Sequence, residues 1–154
     1  FGQFGRRGVG YSIESLKNKI SEILGLNKNW KVCICGMGNL GSALLAYKGF
    51  KEQNLNIAAC FDNDPKKSHK KKGNILIYPL EDMKKVIKSM NIEIAIIATP
   101  TAAAQGVLER LVSCAIKAVL NFAPVKLNVP AGVKLRNVDL STELFNLTYF
   151  LSQN

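Results

Sequence analysis

Three glycines at a fixed spacing, followed by one acidic residue, form the pattern in this sequence that most directly indicates chemistry. Gly36, Gly38 and Gly41 make a G-x-G-x-x-G motif that follows an apolar run and opens a segment with helical periodicity. In such a turn the backbone approaches a pyrophosphate, and the helix N-terminus offers it N–H groups and partial positive charge. Asp62 follows Gly41 by roughly 20 residues, the span of one helix and one strand, and a carboxylate there accepts hydrogen bonds from a ribose. The pattern therefore predicts a dinucleotide site.

The acidic residue also favours one dinucleotide over the other. The carboxylate of Asp62 suits the free hydroxyls of an adenosine ribose and repels the 2′-phosphate of NADP, so the sequence favours NAD(H). Lysines that follow Asp62 partly offset this repulsion. We expect the other residues of the turn, Met37, Asn39 and Leu40, to lie against the cofactor as well. A tight turn that holds no ligand is the alternative.

Two further loops are candidates for the nicotinamide end of the cofactor. Thr99 and Pro100 follow one apolar run, and Asn121 and Phe122 end the next. Ligands of open α/β sheets lie beyond the carboxyl ends of the strands, so we expect Asn121 to reach the carboxamide and Thr99 or Pro100 to contact the nicotinamide or its ribose. In the alternative, Thr101 caps its helix and the prolines only end the strands.

The elements that must position these residues alternate along the chain. Apolar runs predict strands over 32–35, 57–61, 75–78, 94–98, 118–122 and 133–138, and helical periodicity predicts helices over 12–24, 40–48, 80–90, 101–115 and 141–151. Strands that are apolar throughout and separated by helices are typical of a parallel sheet covered on both faces. The expected fold class is therefore α/β, a Rossmann-like, doubly wound and mainly parallel sheet.

Composition narrows the remaining classes of function. The chain has 154 residues, 47% of them apolar, and no run approaches the ~18 consecutive apolar residues of a membrane span. Four cysteines and one histidine, His69, lack the spacing of a zinc site, so we expect no metal and reduced thiols in the cytoplasm. The net charge of +10, concentrated in the lysines of 66–72, raises the chance of an anionic partner, although such a lysine run is usually only a solvated surface.

Catalysis is not expected from this chain. A dehydrogenase needs an acid or base beside the nicotinamide, and His69 lies in the lysine-rich loop on the adenosine side. The chain also offers no second domain to hold a substrate, so the domain is predicted to bind a dinucleotide without turning it over. A fragment of an NAD-dependent oxidoreductase and a coenzyme-A-binding domain of the succinyl-CoA ligase type are the alternatives.

Six segments, in order along the chain, resemble one family, the Rex redox-sensing transcriptional repressors. They are FGRRGVGY at 4–11, GMGNLG at 36–41, YKGF at 47–50, FDNDP at 61–65, LNFAPV at 120–125 and NVDLS at 137–141. The resemblance implies a homodimer that senses the NADH/NAD⁺ ratio. It also implies an N-terminal winged-helix domain, through which the full-length protein binds operator DNA until NADH releases it.

The resemblance divides the chain into three parts. It assigns residues 1–27 to a linker and lead-in helix that follow a winged-helix domain, which is missing here. Residues 28–138 are assigned to the Rossmann NAD(H)-binding domain. Residues 139–154 are assigned to a dimerisation helix that is exchanged between subunits. Asp139 is then expected near the partner's nicotinamide pocket, and Leu140 stands where some members have an aromatic residue. An apolar stripe along 140–151 independently favours a dimer contact, with packing on the chain's own sheet as the alternative.

Overall fold

A computed structural model describes residues 12–153 and gives the α/β alternation that the sequence predicts. The strands are β1 (Trp30–Cys35), β2 (Leu55–Asp62), β3 (Lys71–Lys72), β4 (Ile75–Pro79), β5 (Ile94–Ile97), β6 (Ala118–Asn121) and β7 (Lys134–Asn137). The helices are α1 (Ile13–Ile23), α2 (Asn39–Ala46), α3 (Gly49–Glu52), α4 (Met83–Met90), α5 (Thr101–Ser113) and α6 (Leu140–Ser152). The basic segment at 4–11 and most of the predicted linker lie outside the described residues.

The seven strands form one sheet in the order β3-β4-β2-β1-β5-β6-β7. All neighbouring pairs are parallel except β3 and β4, which are antiparallel. The chain moves outward from β1 through β2 to β4, then returns to the other side of β1 with β5. The loops after β1 and β5 therefore diverge at the carboxyl edge, which creates the crevice where such sheets bind ligands. The expected doubly wound fold class is confirmed.

The sheet carries a separate apolar core on each face, because successive side chains of a strand point to opposite sides. Cys33, Cys35 and Phe61 belong to the larger core, which packs against α4 and α5. Ile34 and Cys60 belong to the smaller core on the other face. Burial raises the pKa of the Cys60 thiol to about 12, so this thiol stays protonated and serves as an apolar core group.

One predicted helix is broken. The periodicity over 40–48 predicts a continuous helix, but α2 ends at Ala46 and Tyr47 leaves it with an extended backbone. The ring of Tyr47 then folds across Gly49, where a Cβ would lie 2.5 Å from the ring, so a larger residue at 49 would displace the tyrosine side chain. The sequence also gave no signal for β3, a two-residue strand in the lysine-rich loop.

The two terminal helices of the described chain leave their apolar side chains in solvent. No residue of α1 or α6 is buried. In α6 the large apolar side chains are 59–71% exposed; they are Leu140, Leu144, Phe145, Leu147, Tyr149, Phe150 and Leu151. The alternative in which this helix packs on its own sheet is therefore wrong.

Metal and membrane sites find no support in the part of the chain that is described. No group of three or more histidine, cysteine, aspartate or glutamate side chains within 12–153 is placed to hold a metal ion. The longest described helices, α5 and α6, have 13 residues each. None of the helices in this range has both the length and the apolar character needed to cross a bilayer.

Candidate dinucleotide site

A cavity of about 600 Å³ opens at the carboxyl edge of the sheet, where β1, β2, β5 and β6 end. Eight of the predicted site residues line it: Gly36, Gly38, Asn39, Leu40, Asp62, Thr99, Pro100 and Phe122. The sequence did not single out the other lining residues, which are Asn63, Asp64, Lys67, Leu80, Ala98, Ala103, Val107 and Pro124. The structure does not bring Met37, Gly41, Asn121 or Asp139 to this wall.

The three glycines of the motif differ in what their surroundings require of them. Gly36 has φ +97°, and a Cβ there would lie 2.6 Å from the carbonyl oxygen of Ala98, so the turn after β1 requires glycine. Gly41 packs directly on the carbonyl of Gly36, which holds α2 against the strand. Around Gly38, in contrast, a Cβ would meet no atom within 4 Å. The fold itself does not require glycine at 38, whereas a ligand that approaches the backbone does.

The first turn of α2 faces the cavity with N–H groups that no side chain caps. Gly38 is the residue before the helix, and it has no side chain to cap the free N–H groups. The first turn also contains no acidic residue that would offset the positive end of the helix dipole. Asn39 and Leu40 bring this end of the helix onto the cavity wall. The arrangement suits an anion such as a pyrophosphate.

Asp62 is the buried acid of the site, with 6% of its surface exposed. Its Oδ2 accepts hydrogen bonds from the N–H of Met37 at 2.7 Å and from the ammonium of Lys67 at 3.3 Å. Its Oδ1 accepts from the N–H of Asp64 at 2.8 Å. Burial opposes the charged form, but these donors outweigh it and hold the pKa of Asp62 below its ordinary value. An ionised carboxylate therefore joins the glycine turn to the end of β2 and faces the cavity.

Thr99 presents an unused hydroxyl in the loop after β5. Its Oγ1 is buried and has no hydrogen-bond partner among the described residues, although the residue lines the cavity. An unpaired buried hydroxyl costs about 1–3 kcal/mol, so a ligand that supplies a partner would recover this energy. Helix α5 starts directly after Pro100 without a side-chain cap, so the alternative in which Thr101 caps the helix is wrong.

Asn121 lies behind the cavity wall and not in it. The side chain is fully buried, and its Nδ2 donates to the carbonyl of Ala123 at 3.0 Å and to Oδ1 of Asn137 at 2.9 Å. Its Oδ1 accepts from the N–H of Ala123 at 3.0 Å. These bonds fix the turn after β6 and tie it to β7. The residue that this turn places against the cavity is Phe122.

Asp139 begins α6 and lines a second, smaller cavity of about 310 Å³ with Pro124 and Asn137. Its carboxylate accepts from the hydroxyl of Thr142 at 2.9 Å and from the N–H groups of Ser141 and Thr142 at 3.0 and 3.2 Å. The hydroxyl of Thr142 and these N–H groups lower the pKa of Asp139. Asp139 is thus an ionised helix cap that does not reach the larger cavity of its own chain.

The larger cavity is polar at one end and apolar at the other. Asp62, Asp64 and Lys67 lie at the end formed by β2, whereas Pro100, Phe122 and other apolar side chains form the end between β5 and β6. Histidine, cysteine and tyrosine are absent from the described lining. Among the lining residues, the apolar end therefore offers a nicotinamide ring no side chain that ordinarily acts as a general acid or base.

Comparison with known proteins agrees with this geometry. The family model described as "CoA binding domain" matches residues 27–125. The redox-sensing transcriptional repressor Rex of Pelotomaculum thermopropionicum is 50% identical over 153 residues, which are 99% of this chain and 72% of that protein. It carries the name of a repressor and not of an enzyme.

Three crystal structures of RSP, a Rex-family repressor, are also similar to this chain at 38% identity. The complex with beta-NAD⁺ and operator DNA has a TM-score of 0.86 over 99% of this chain and 70% of that one. The complex with beta-NADH has a TM-score of 0.82 over 94% of this chain and 70% of that one. Sequence and fold agree, and the chain belongs to the Rex family of redox-sensing transcriptional repressors.

Proposed function

We propose that this chain is the NAD(H)-binding part of a repressor that couples the cellular NADH/NAD⁺ ratio to operator binding. The observation that carries the proposal is the open backbone at Gly38, at the uncapped start of α2 and in the same cavity as an ionised Asp62. The RSP structures that hold beta-NADH, or beta-NAD⁺ with operator DNA, support the same assignment.

The cavity residues divide between the parts of the cofactor. We assign the pyrophosphate to the start of α2 beside Gly38, and the adenosine ribose to Asp62. The nicotinamide is assigned to the apolar end, where Thr99 offers its unpaired hydroxyl and Phe122 a ring face. Asn121 takes an indirect role, because it fixes the turn that holds Phe122.

The apolar end also gives a reason to respond to the redox state. The nicotinamide ring supplies the redox chemistry, being neutral in NADH and positively charged in NAD⁺. The side chains of Pro100, Val107, Phe122 and Pro124 form an apolar surround that accepts a neutral ring more readily than a charged one. A sensor requires such a difference in affinity between NADH and NAD⁺. Each form of the cofactor shifts the protein between two conformations only as far as it binds one conformation more tightly than the other.

The second half of the proposal concerns assembly. We assign residues 1–27 to the connection with a winged-helix domain, 28–138 to cofactor binding and 139–154 to a helix exchanged in a homodimer. Helix α6 supports this, since its large apolar side chains are all mostly exposed in the single chain. In the dimer, the partner subunit's Asp139 would lie near the nicotinamide pocket. Operator DNA is the partner of the full-length protein, which acts in the cytoplasm.

Titration of the chain with NADH, NAD⁺ and coenzyme A tests the proposal. NADH binding is followed by the fluorescence of its reduced ring, and the other two ligands compete against it. We expect NADH to bind more tightly than NAD⁺, and coenzyme A to compete poorly. Equal affinities for NADH and NAD⁺ would contradict a sensor. Tight coenzyme A binding without NADH binding would instead favour the function for which the matching family model is named.

A further inference from the structure

The polar end of the cavity contains a cation that the assignment above leaves unused. The ammonium of Lys67 lies 3.3 Å from Oδ2 of Asp62, and both side chains line the cavity. Lys67 is 39% exposed in its side chain, compared with 6% for Asp62, so the pair joins a partly exposed cation to a buried carboxylate. Whatever approaches Asp62 from the cavity therefore meets Lys67 as well.

The carboxylate of Asp62 has little hydrogen-bonding capacity left. A carboxylate offers about four lone-pair sites, two on each oxygen. Met37 and Lys67 occupy Oδ2, and Asp64 occupies one site on Oδ1. One site remains, whereas the 2′- and 3′-hydroxyls of a ribose are two donors. Asp62 alone thus accepts one ribose hydroxyl, and the other must find its partner elsewhere.

Lys67 has the capacity that Asp62 lacks. An ammonium carries three N–H donors, and one of them is directed at Asp62. The remaining donors can bond an oxygen of the ribose, including a hydroxyl that acts as an acceptor. The same positive charge attracts a phosphate on a ribose that is bound beside Asp62.

The other lysines of the loop do not share this position. Lys67 is the one lysine of 66–72 that lines the cavity. Lys72 is held elsewhere, with its ammonium 2.5 Å from the hydroxyl of Ser42 on α2. Two carboxylates line this end of the cavity, those of Asp62 and Asp64, so Lys67 is the cation that offsets their charge there.

We propose that Lys67 is a specificity-determining residue of the adenosine end: it donates to the adenosine ribose, and its charge moderates the rejection of a 2′-phosphate by Asp62. The inference rests on the proposed NAD(H) function and adds a residue to it. Discrimination between NADH and NADPH is then a property of the Asp62–Lys67 pair and not of Asp62 alone.

Lys67→Gln tests this, with Lys66→Gln as the matched control. The two variants lose the same charge at adjacent positions, but Lys66 does not line the cavity. In fluorescence titrations at low salt, we expect Lys67→Gln to weaken NADPH more than NADH, so that the preference for NADH rises about tenfold. Lys66→Gln should leave the preference within about twofold, as befits an exposed charge.

The same titrations keep the two proposals separate. A failure of the parent chain to bind NADH overturns the proposed function. Normal NADH binding, with a preference that Lys67→Gln leaves unchanged or that Lys66→Gln shifts equally, overturns the role of Lys67. If the parent binds NADPH too weakly to titrate, the comparison moves to an Asp62→Asn background, which removes the repelling charge. NADPH binding in that background must weaken about tenfold with Lys67→Gln. Binding that Lys67→Gln leaves unchanged, or no NADPH binding at all once the repelling charge is removed, overturns the proposal.

Discussion

The N–H group of Met37 donates to the carboxylate of Asp62 over 2.7 Å, and this bond joins the glycine turn after β1 to the end of β2. The two parts of the nucleotide motif are therefore one structural unit before any cofactor arrives. Asp62 holds the glycine turn, to which we assign the pyrophosphate. Its carboxylate also lines the cavity and has one acceptor site left. A change at Asp62 should consequently affect folding as well as binding.

We expect Asp62→Ala to lower the free energy of unfolding at pH 7 by about 2 kcal/mol, because the buried N–H group of Met37 and the partly buried one of Asp64 lose their acceptor. The folded state lowers the pKa of Asp62, so its stabilising contribution is present above the unfolded pKa of about 4 and is lost as pH falls through the lower folded pKa. Urea unfolding of both chains from pH 7 to pH 3 measures this. The gap between them should narrow in acid, and a gap independent of pH would contradict the assignment.

Gly38→Ala should separate binding from folding. The fold leaves open space where the new methyl would stand, so the free energy of unfolding should fall by no more than about 1 kcal/mol, the amount by which glycine is favoured over alanine at the start of a helix. NADH affinity should fall at least about tenfold, because the methyl occupies the approach of the pyrophosphate. Isothermal titration and thermal unfolding measure the two effects.

A matched glycine makes this prediction sharper. Gly106 lies in α5, and a Cβ there would also meet no atom within 4 Å. Gly106→Ala should raise the free energy of unfolding by up to about 1 kcal/mol, as expected inside a helix, and leave NADH binding unchanged. Equal binding losses at 38 and 106 would show that the effect of Gly38→Ala is not local.

Thr99→Val exchanges the unpaired hydroxyl for a methyl of similar size. Without cofactor the variant should be as stable as the parent or more stable by about 1 kcal/mol, because it no longer buries a hydroxyl that has no hydrogen-bond partner. With cofactor it should lose about tenfold in NADH affinity, the value of one hydrogen bond. Thermal unfolding with and without NADH measures both. A variant that is less stable without cofactor would contradict the assignment.

The sequence predicted those features that depend on short segments and their order. The glycine turn, Asp62 and the doubly wound, mainly parallel sheet follow from local periodicity and from the alternation of strands and helices. The structure does not bring Asn121 to the cavity wall, because its amide bonds Ala123 and Asn137. From the sequence alone, an amide after a strand looks the same whether it faces a ligand or the fold. Lys67 was one of several lysines, and only the folded loop selects it as the one beside Asp62.

Helix α6 gives the last prediction. Leu140, Leu144, Leu147 and Leu151 recur at a spacing of three or four residues and are 59–71% exposed in the single chain. Burial of each such side chain stabilises an assembly by about 1.5–3 kcal/mol, so we expect a dimer at micromolar concentration. Leu147→Asp should shift the chain to monomer in sedimentation velocity, because a charge in the centre of the stripe must be desolvated.

The neighbouring variant Asn146→Asp adds the same charge at a polar position and should leave the assembly intact. Both variants should keep the parent's circular dichroism, since α6 contributes no buried residue to its own sheet. Only Leu147→Asp should unfold at a lower temperature, because it loses the stabilisation that the dimer provides. A parent chain that sediments as a monomer at high concentration would contradict the exchange of α6. Dissociation by both variants alike would show that charge in general, and not loss of the apolar stripe, breaks the dimer.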